Sequence, residues 1–380
     1  MSASPEGPAK GSPKGRRIAE KPAKERRAAK PPKPPKAAKT PKSPKEPRER
    51  AAVERTGPRV SPRVVGILGV VVLVAGLVAL SCAVAGVGPH WIDGAGAIAV
   101  STVLSAALAH RTGGRPFVAL LLALGIGLAA VIIGGQTLQT GAAVLTVVVG
   151  GVYAVMATVP AVSFWEAARE VLIATLFSGF AALAAVGFEP TVVEPRFDYA
   201  SLLLALGLVF AVVYRLGAGI HGLGRRGLIV VLVGVVVLVL TLAYGELLRR
   251  YGAGSVVSSV LDFAAWTADR IGAFPRPLVV FLGIPALLWG CFQRARRRQG
   301  WWVCAFGVTA TVPLAQGLLE PDGSFLEAGL RCVYSLVLGL LIGYLLVRLD
   351  LAFTAPRGRR GRRAEEADAH RPEPSRFAEL

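Results

Sequence analysis

Residues Gly217-Ala218-Gly219-Ile220-His221-Gly222 spell G-x-G-x-x-G, the pattern that lets a backbone wrap a pyrophosphate when it joins a strand to a helix. Here it follows one long apolar run and precedes another, so no strand is on offer. The stretch reads as a flexible loop closed by Arg225 and Arg226. The four cysteines, at 82, 291, 304 and 332, have no paired spacing and read as small apolar filler. A disulfide between Cys82 and Cys332 is open to the chain if their helices adjoin. Histidines at 90, 110, 221 and 370 are equally scattered, and neither H-E-x-x-H nor G-x-S-x-G occurs. No metal site, cofactor or enzyme activity is therefore expected.

Ionisable side chains within a bilayer are expensive and usually mark a pathway. In this chain they gather at the ends of apolar runs: Glu166, Arg169 and Glu170 together, Glu246 before Arg249 and Arg250, and Arg331 near Glu327. There they are expected to pair or to snorkel at an interface. Run centres read as free of charge, which argues against a proton-driven pump and favours neutral or lipid-like cargo. Pro160, Pro285 and Pro313 fall inside apolar runs, where a broken helix exposes backbone groups able to bind substrate. The candidate pathway is Gln136, Gln139, Pro160, Thr311, Pro313, Gln316 and Tyr334. The tetrapeptide Ala-Thr-Val-Pro occurs at 157–160 and at 310–313, in runs five apart, as an inverted repeat of five plus five spans would require.

Ten runs are apolar enough to cross a hydrocarbon core of ~30 Å, which takes roughly 17–25 helical residues. They are 64–87, 95–110, 117–134, 142–162, 170–188, 199–216, 228–247, 277–292, 301–319 and 328–349. The expected fold is an all-α polytopic transmembrane bundle of about ten spans, nine if the serine-diluted second run fails. Arginine collects in alternate connections, from Arg111 and Arg115 through Arg225 and Arg226 to Arg294, Arg296, Arg297 and Arg298. Basic residues near span ends are retained in the cytoplasm, so both termini are expected there. The connection 248–276 breaks the pattern with four arginines, and its stretch 255–271 repeats apolar residues at helical spacing, as a helix lying on the membrane surface does.

Residues 1–63 form a different kind of segment, with every lysine of the chain, thirteen prolines, no aromatic residue and +13 of the +19 net charge. Such a stretch buries too little apolar surface to offset its ordering entropy, so a disordered cytoplasmic tail is expected. Residues 64–350 make the membrane domain, and 351–380 an Arg-rich, then acidic, disordered tail. Heavy use of Ala, Val, Gly and Arg suits a GC-rich bacterial genome and hence the plasma membrane.

Two functions fit. The first is permease-like transport or lipid handling of a neutral or amphipathic molecule through the proline-broken spans. The second is a membrane-anchored organiser whose basic tail binds anionic lipid headgroups, nucleic acid or acidic protein partners, each lysine near an anionic surface contributing ~1 kcal/mol. Thr40 and Ser43, each followed by proline, are candidate phosphosites that would loosen those contacts.

Overall fold

A computed structural model describes residues 62–191, 194–218, 224–251, 254–296, 300–320, 324–354 and 373–380. Residues 1–61, with Thr40 and Ser43, lie outside the described residues, as do 355–372. The described residues contain twelve α-helices and no strand. These are α1 (Pro62–Val84), α2 (Trp91–Arg111), α3 (Pro116–Ile132), α4 (Gln136–Met156), α5 (Phe164–Val186) and α6 (Glu194–Val213). There follow α7 (Gly224–Tyr251), α8 (Gly254–Ile271), α9 (Ile284–Arg294), α10 (Gly300–Ala305), α11 (Val308–Leu318) and α12 (Phe325–Thr354). Tyr214–Ala218 and Val279–Gly283 are π-helical turns that extend α6 and precede α9.

Seven helical stretches are long and apolar enough to cross a membrane: α1, α2, α4, α5, Arg196–Leu216, Gly300–Leu318 and Phe325–Phe353. The other three expected runs are also helical but shorter, at Pro116–Ile132, Gly227–Ala243 and Val279–Arg294. The chain is therefore an α-helical, multi-pass membrane protein. The second run, diluted by Ser101, Thr102 and Ser105, is a full 21-residue helix, because α2 starts at Trp91 and turns Ser101 and Thr102 inward.

Burial sorts the helices into core and shell. Gly300–Leu318 is 72% buried and α4 61%, whereas α1 is 11% and α12 17%. The core is thus α4, α5 and α10–α11, with α6 and α9 against them, and the large exposed side chains of α1, α7 and α12 form the apolar outer surface. In lipid no hydrophobic force draws helices together, so close packing of small residues must do so. A Cβ on Gly150 of α4 would stand 2.2 Å from the Ala181 Cβ of α5, and one on Gly283 would stand 2.4 Å from the Ala310 backbone nitrogen. Backbones at these crossings approach as closely as atoms allow.

The expected fourth run, 142–162, is displaced by six residues at each end. Gly134 and Gly135 both adopt positive φ, at 72° and 93°, and make a turn that starts α4 at Gln136. At the other end Thr158 Oγ1 donates to Val155 O at 2.7 Å, and the helix stops at Met156. Pro160, expected within a span, therefore lies in a non-helical connection, because the residue before proline disfavours helical geometry. Pro313 does lie inside a helix, α11. The two Ala-Thr-Val-Pro copies thus have unlike conformations, one past a helix end and one within a helix.

Ser163 starts α5 with a capping box. Its Oγ accepts from Glu166 N at 3.3 Å, and Glu166 Oε2 accepts from Ser163 N at 3.3 Å and Val162 N at 2.8 Å. Replacing Ser163 by alanine is expected to lower unfolding free energy by about 1 kcal/mol, read from the denaturation midpoint in mixed micelles; an unchanged midpoint would show the cap to be idle. The amphipathic stretch 255–271 is indeed a helix, α8, with Phe263 and Trp266 exposed on it.

Candidate functional site

Two polar regions lie at opposite ends of the bundle. The first is built where the irregular helices meet. The π-helical turn Val279–Gly283 packs on α11, whose Pro313 removes a backbone donor from the helix. Between them lies a cavity of about 30 Å³, bounded by Thr175, Thr311, Pro313, Arg276, Cys332 and Ser335 among others. That is room for about two water molecules in a site with polar partners for them. Arg276 and Arg331 close it, both bound to the Glu320 carboxylate, with Arg331 Nη2 reaching Glu327 Oε1 at 2.7 Å. Two bases against two acids leave this cluster neutral.

The expected pathway residues are placed unevenly. Thr311 and Pro313 line the cavity; the Thr311 hydroxyl donates to Gly151 O at 3.0 Å, and Ser178 Oγ donates to Thr311 O. Gln316 is buried nearby but turned to α6, its Nε2 donating to Asp198 O and Ser201 Oγ, both at 2.9 Å. Tyr334 Oη donates to Ile271 O at 2.7 Å and so ties α12 to the end of α8. Gln136 sits apart, on an open groove of about 520 Å³ that also carries Thr137, Thr140, Thr191 and Leu204. Gln139 lies one turn from that groove, half-buried on α4, and Pro160 is at the far end of the bundle.

The second region overturns the expectation that no charge is buried. Glu170, expected at an interface, is fully buried, and so are Arg111 at the end of α2 and Arg294 at the end of α9. Span centres are uncharged, as read; the burial comes from a cover. Residues 373–380 lie across this end of the bundle and exclude water from it. Glu170 Oε1 accepts from Arg376 Nη2 at 2.8 Å and from Arg169 Nη2 at 3.2 Å, while its Oε2 accepts from Val159 N at 3.0 Å and meets Arg376 Nη1 at 2.7 Å.

Arg294 donates to Thr158 Oγ1 at 2.8 Å, Thr158 O at 3.1 Å and Glu373 Oε2 at 2.6 Å, and its guanidinium lies 3.5 Å over the Trp301 ring. Arg111 donates to Met156 O at 3.0 Å, Ser375 O at 2.7 Å and Ala378 O at 2.6 Å. Residues 351–380 were expected to be a free tail. Instead α12 runs to Thr354, and 373–380 make these contacts.

Of the remaining expected interface charges, Arg331 pairs as anticipated, Glu166 serves the α5 cap, and the Glu246 side chain lies outside the described residues. All four cysteines are free thiols, so Cys82 and Cys332 are not joined. Cys291 and Cys304 are both fully buried where α9 and α10 form a hairpin, beside Arg294. Most of the G-x-G-x-x-G stretch, 219–223, lies outside the described residues, and helical structure flanks it on both sides. Among the described residues no three His, Cys, Asp or Glu side chains gather as a metal would require. Compared with protein-family models, with curated proteins and with solved structures, the chain matches none.

Proposed function

We propose that this protein is a ten-span, permease-like carrier of the plasma membrane that moves or handles a neutral or amphipathic molecule, with both termini in the cytoplasm. One observation carries the reading: the π-helical turn before α9 and the proline-bearing α11 meet and bound a mainly apolar cavity whose wall also carries Thr175, Thr311 and Ser335. Irregular backbone is tolerated at membrane depth where it lines a cavity, and carriers place their binding sites at such interrupted helices. Arginine at the 111–115, 215–226 and 294–298 connections supports an orientation with the Arg111 end inside and the Glu320–Glu327 end outside.

The test is accessibility of Cys332, which lines the cavity. In a protein whose other three cysteines are serine, a membrane-impermeant maleimide added outside intact cells is expected to label Cys332. Thr311→Val in the same background is expected to lose complementation of the deletion strain while keeping its membrane level. Labelling from neither side, together with full complementation by the Thr311→Val protein, would remove the cavity from any transport path.

A further inference from the structure

Residues 373–380 hold a place that a ligand of definite chemistry fits better. Without them, the end of the bundle presents two guanidinium groups, Arg111 and Arg294, against one buried carboxylate, Glu170, which Arg169 already engages. The segment supplies Arg294 with one carboxylate oxygen, from Glu373, and supplies Arg111 with two backbone carbonyls. That is an incomplete set of acceptors. Arg111 Nη2 and Arg294 Nε are buried and bond to nothing, although each residue is only 1% exposed. A buried donor left unpaired is costly, and more so when it carries charge.

The unmet need is for oxygen acceptors bearing negative charge, offered to planar donors. Phosphate oxygens answer it, since a guanidinium grips phosphate through two parallel N–H bonds. The two guanidinia also lie in each other's field and in that of Glu373, so one anion acts on both. The segment is held almost wholly by polar contacts, through Glu373, Arg376 and backbone carbonyls, while Phe377 is exposed and only Leu380 packs against the core. Contacts of this kind are the ones that a competing anion can replace.

We propose that the recess formed by Arg111 and Arg294 is a binding site for a phosphate-bearing group, and that residues 373–380 are its tethered, displaceable occupant. The inference concerns the end of the bundle away from the cavity and stands whether or not the protein is a carrier. Two sources share the chemistry: a phospholipid headgroup and a free phosphoryl compound.

The test uses the full-length protein in detergent micelles. Trypsin cleaves after Arg376 only when that side chain leaves Glu170. Phosphatidic acid added to the micelles, or glycerol 3-phosphate added in solution, is expected to raise the cleavage rate at Arg376, and diacylglycerol is not. Glu373→Ala with Arg376→Ala, which frees the segment, is expected to bind the active probe about tenfold tighter, the gain for a site otherwise occupied nine times in ten. Arg294→Gln is expected to abolish the response.

Response to phosphatidic acid alone identifies a lipid site, and response to both probes a site for free phosphoryl compounds as well. The proposal is overturned if neither probe speeds cleavage, if the freed protein binds no tighter than the parent, or if Arg294→Gln responds as the parent does. Should Arg294→Gln fail to fold, the freed protein alone decides.

Discussion

A Gly290→Ala protein is expected to unfold with about 3 kcal/mol less free energy than the parent, the upper end of what overpacking a tight contact costs. The added Cβ would lie 2.5 Å from Cys304 Sγ, 2.6 Å from Cys304 N and 2.9 Å from its Cα. Sulfur at the end of a side chain can rotate away. Two backbone atoms of the facing helix cannot, and α10 is a six-residue helix packed against α9 and α6. Relief would have to come from parting the α9–α10 hairpin, which also carries Arg294 and Trp301. Gly125→Ala is the matched control, since nothing lies within 4 Å of a Cβ there; it is expected to be neutral or to stabilise by up to about 1 kcal/mol through helix propensity. Denaturation midpoints for the two proteins should therefore move in opposite directions or differ by the full clash. Equal midpoints would mean that the hairpin is loosely packed.

Glu170→Ala is expected to lose about 3 kcal/mol, as removal of one partner from a buried pair does. The carboxylate accepts from Val159 N, from Arg169 Nε and Nη2 and from both Arg376 terminal nitrogens, so its loss leaves five donors to find other partners. Arg376 can swing to water because its side chain is 17% exposed, which holds the cost toward the lower limit. Glu170→Gln keeps the shape and one oxygen and is expected to fall between Glu170→Ala and the Ser163→Ala change at the same helix end. Combining Glu170→Ala with Arg376→Ala should cost less than the sum of the single changes by about 1 kcal/mol or more, because the pair is removed only once. Strict additivity in that cycle would show that Arg376 contributes nothing to holding Glu170.

The sequence announced the helices because lipid-length apolar runs leave little choice of structure. It announced Thr311 and Pro313 for the same reason, since a proline and a threonine inside such a run stand out. The register of the fourth run was not legible: two glycines at 134 and 135 fixed its start, and apolar composition on both sides of Pro160 hid its end. Glu170 was visible as a charge near a span end, yet its burial depends on Arg376, which lies 206 residues further along the chain. No periodicity reports a contact of that separation. Arg111 and Arg294 were read only as markers of orientation, and the one local hint was the run Glu373-Pro374-Ser375-Arg376, an acid and a base spaced to meet a base and an acid. Cys291 and Cys304 show the same limit, because thirteen residues separate them and only the α9–α10 turn brings them together.

The shell helices also fix a thickness. On α12, Arg331 and Arg348 enclose sixteen uncharged residues, Cys332 to Val347, so the two charges stand about 25 Å apart along the helix axis. Helix α3, with 17 residues, gives about the same length. Both fall short of the ~30 Å of a typical hydrocarbon core. Acyl chains beside these helices must therefore compress or tilt, while the Arg348 guanidinium lies 5.8 Å over the Tyr344 ring one turn back. Each ångström of that mismatch costs a fraction of a kcal/mol. The bilayer is thus pinched beside α3 and α12, whereas α1, with 23 residues, spans the full core.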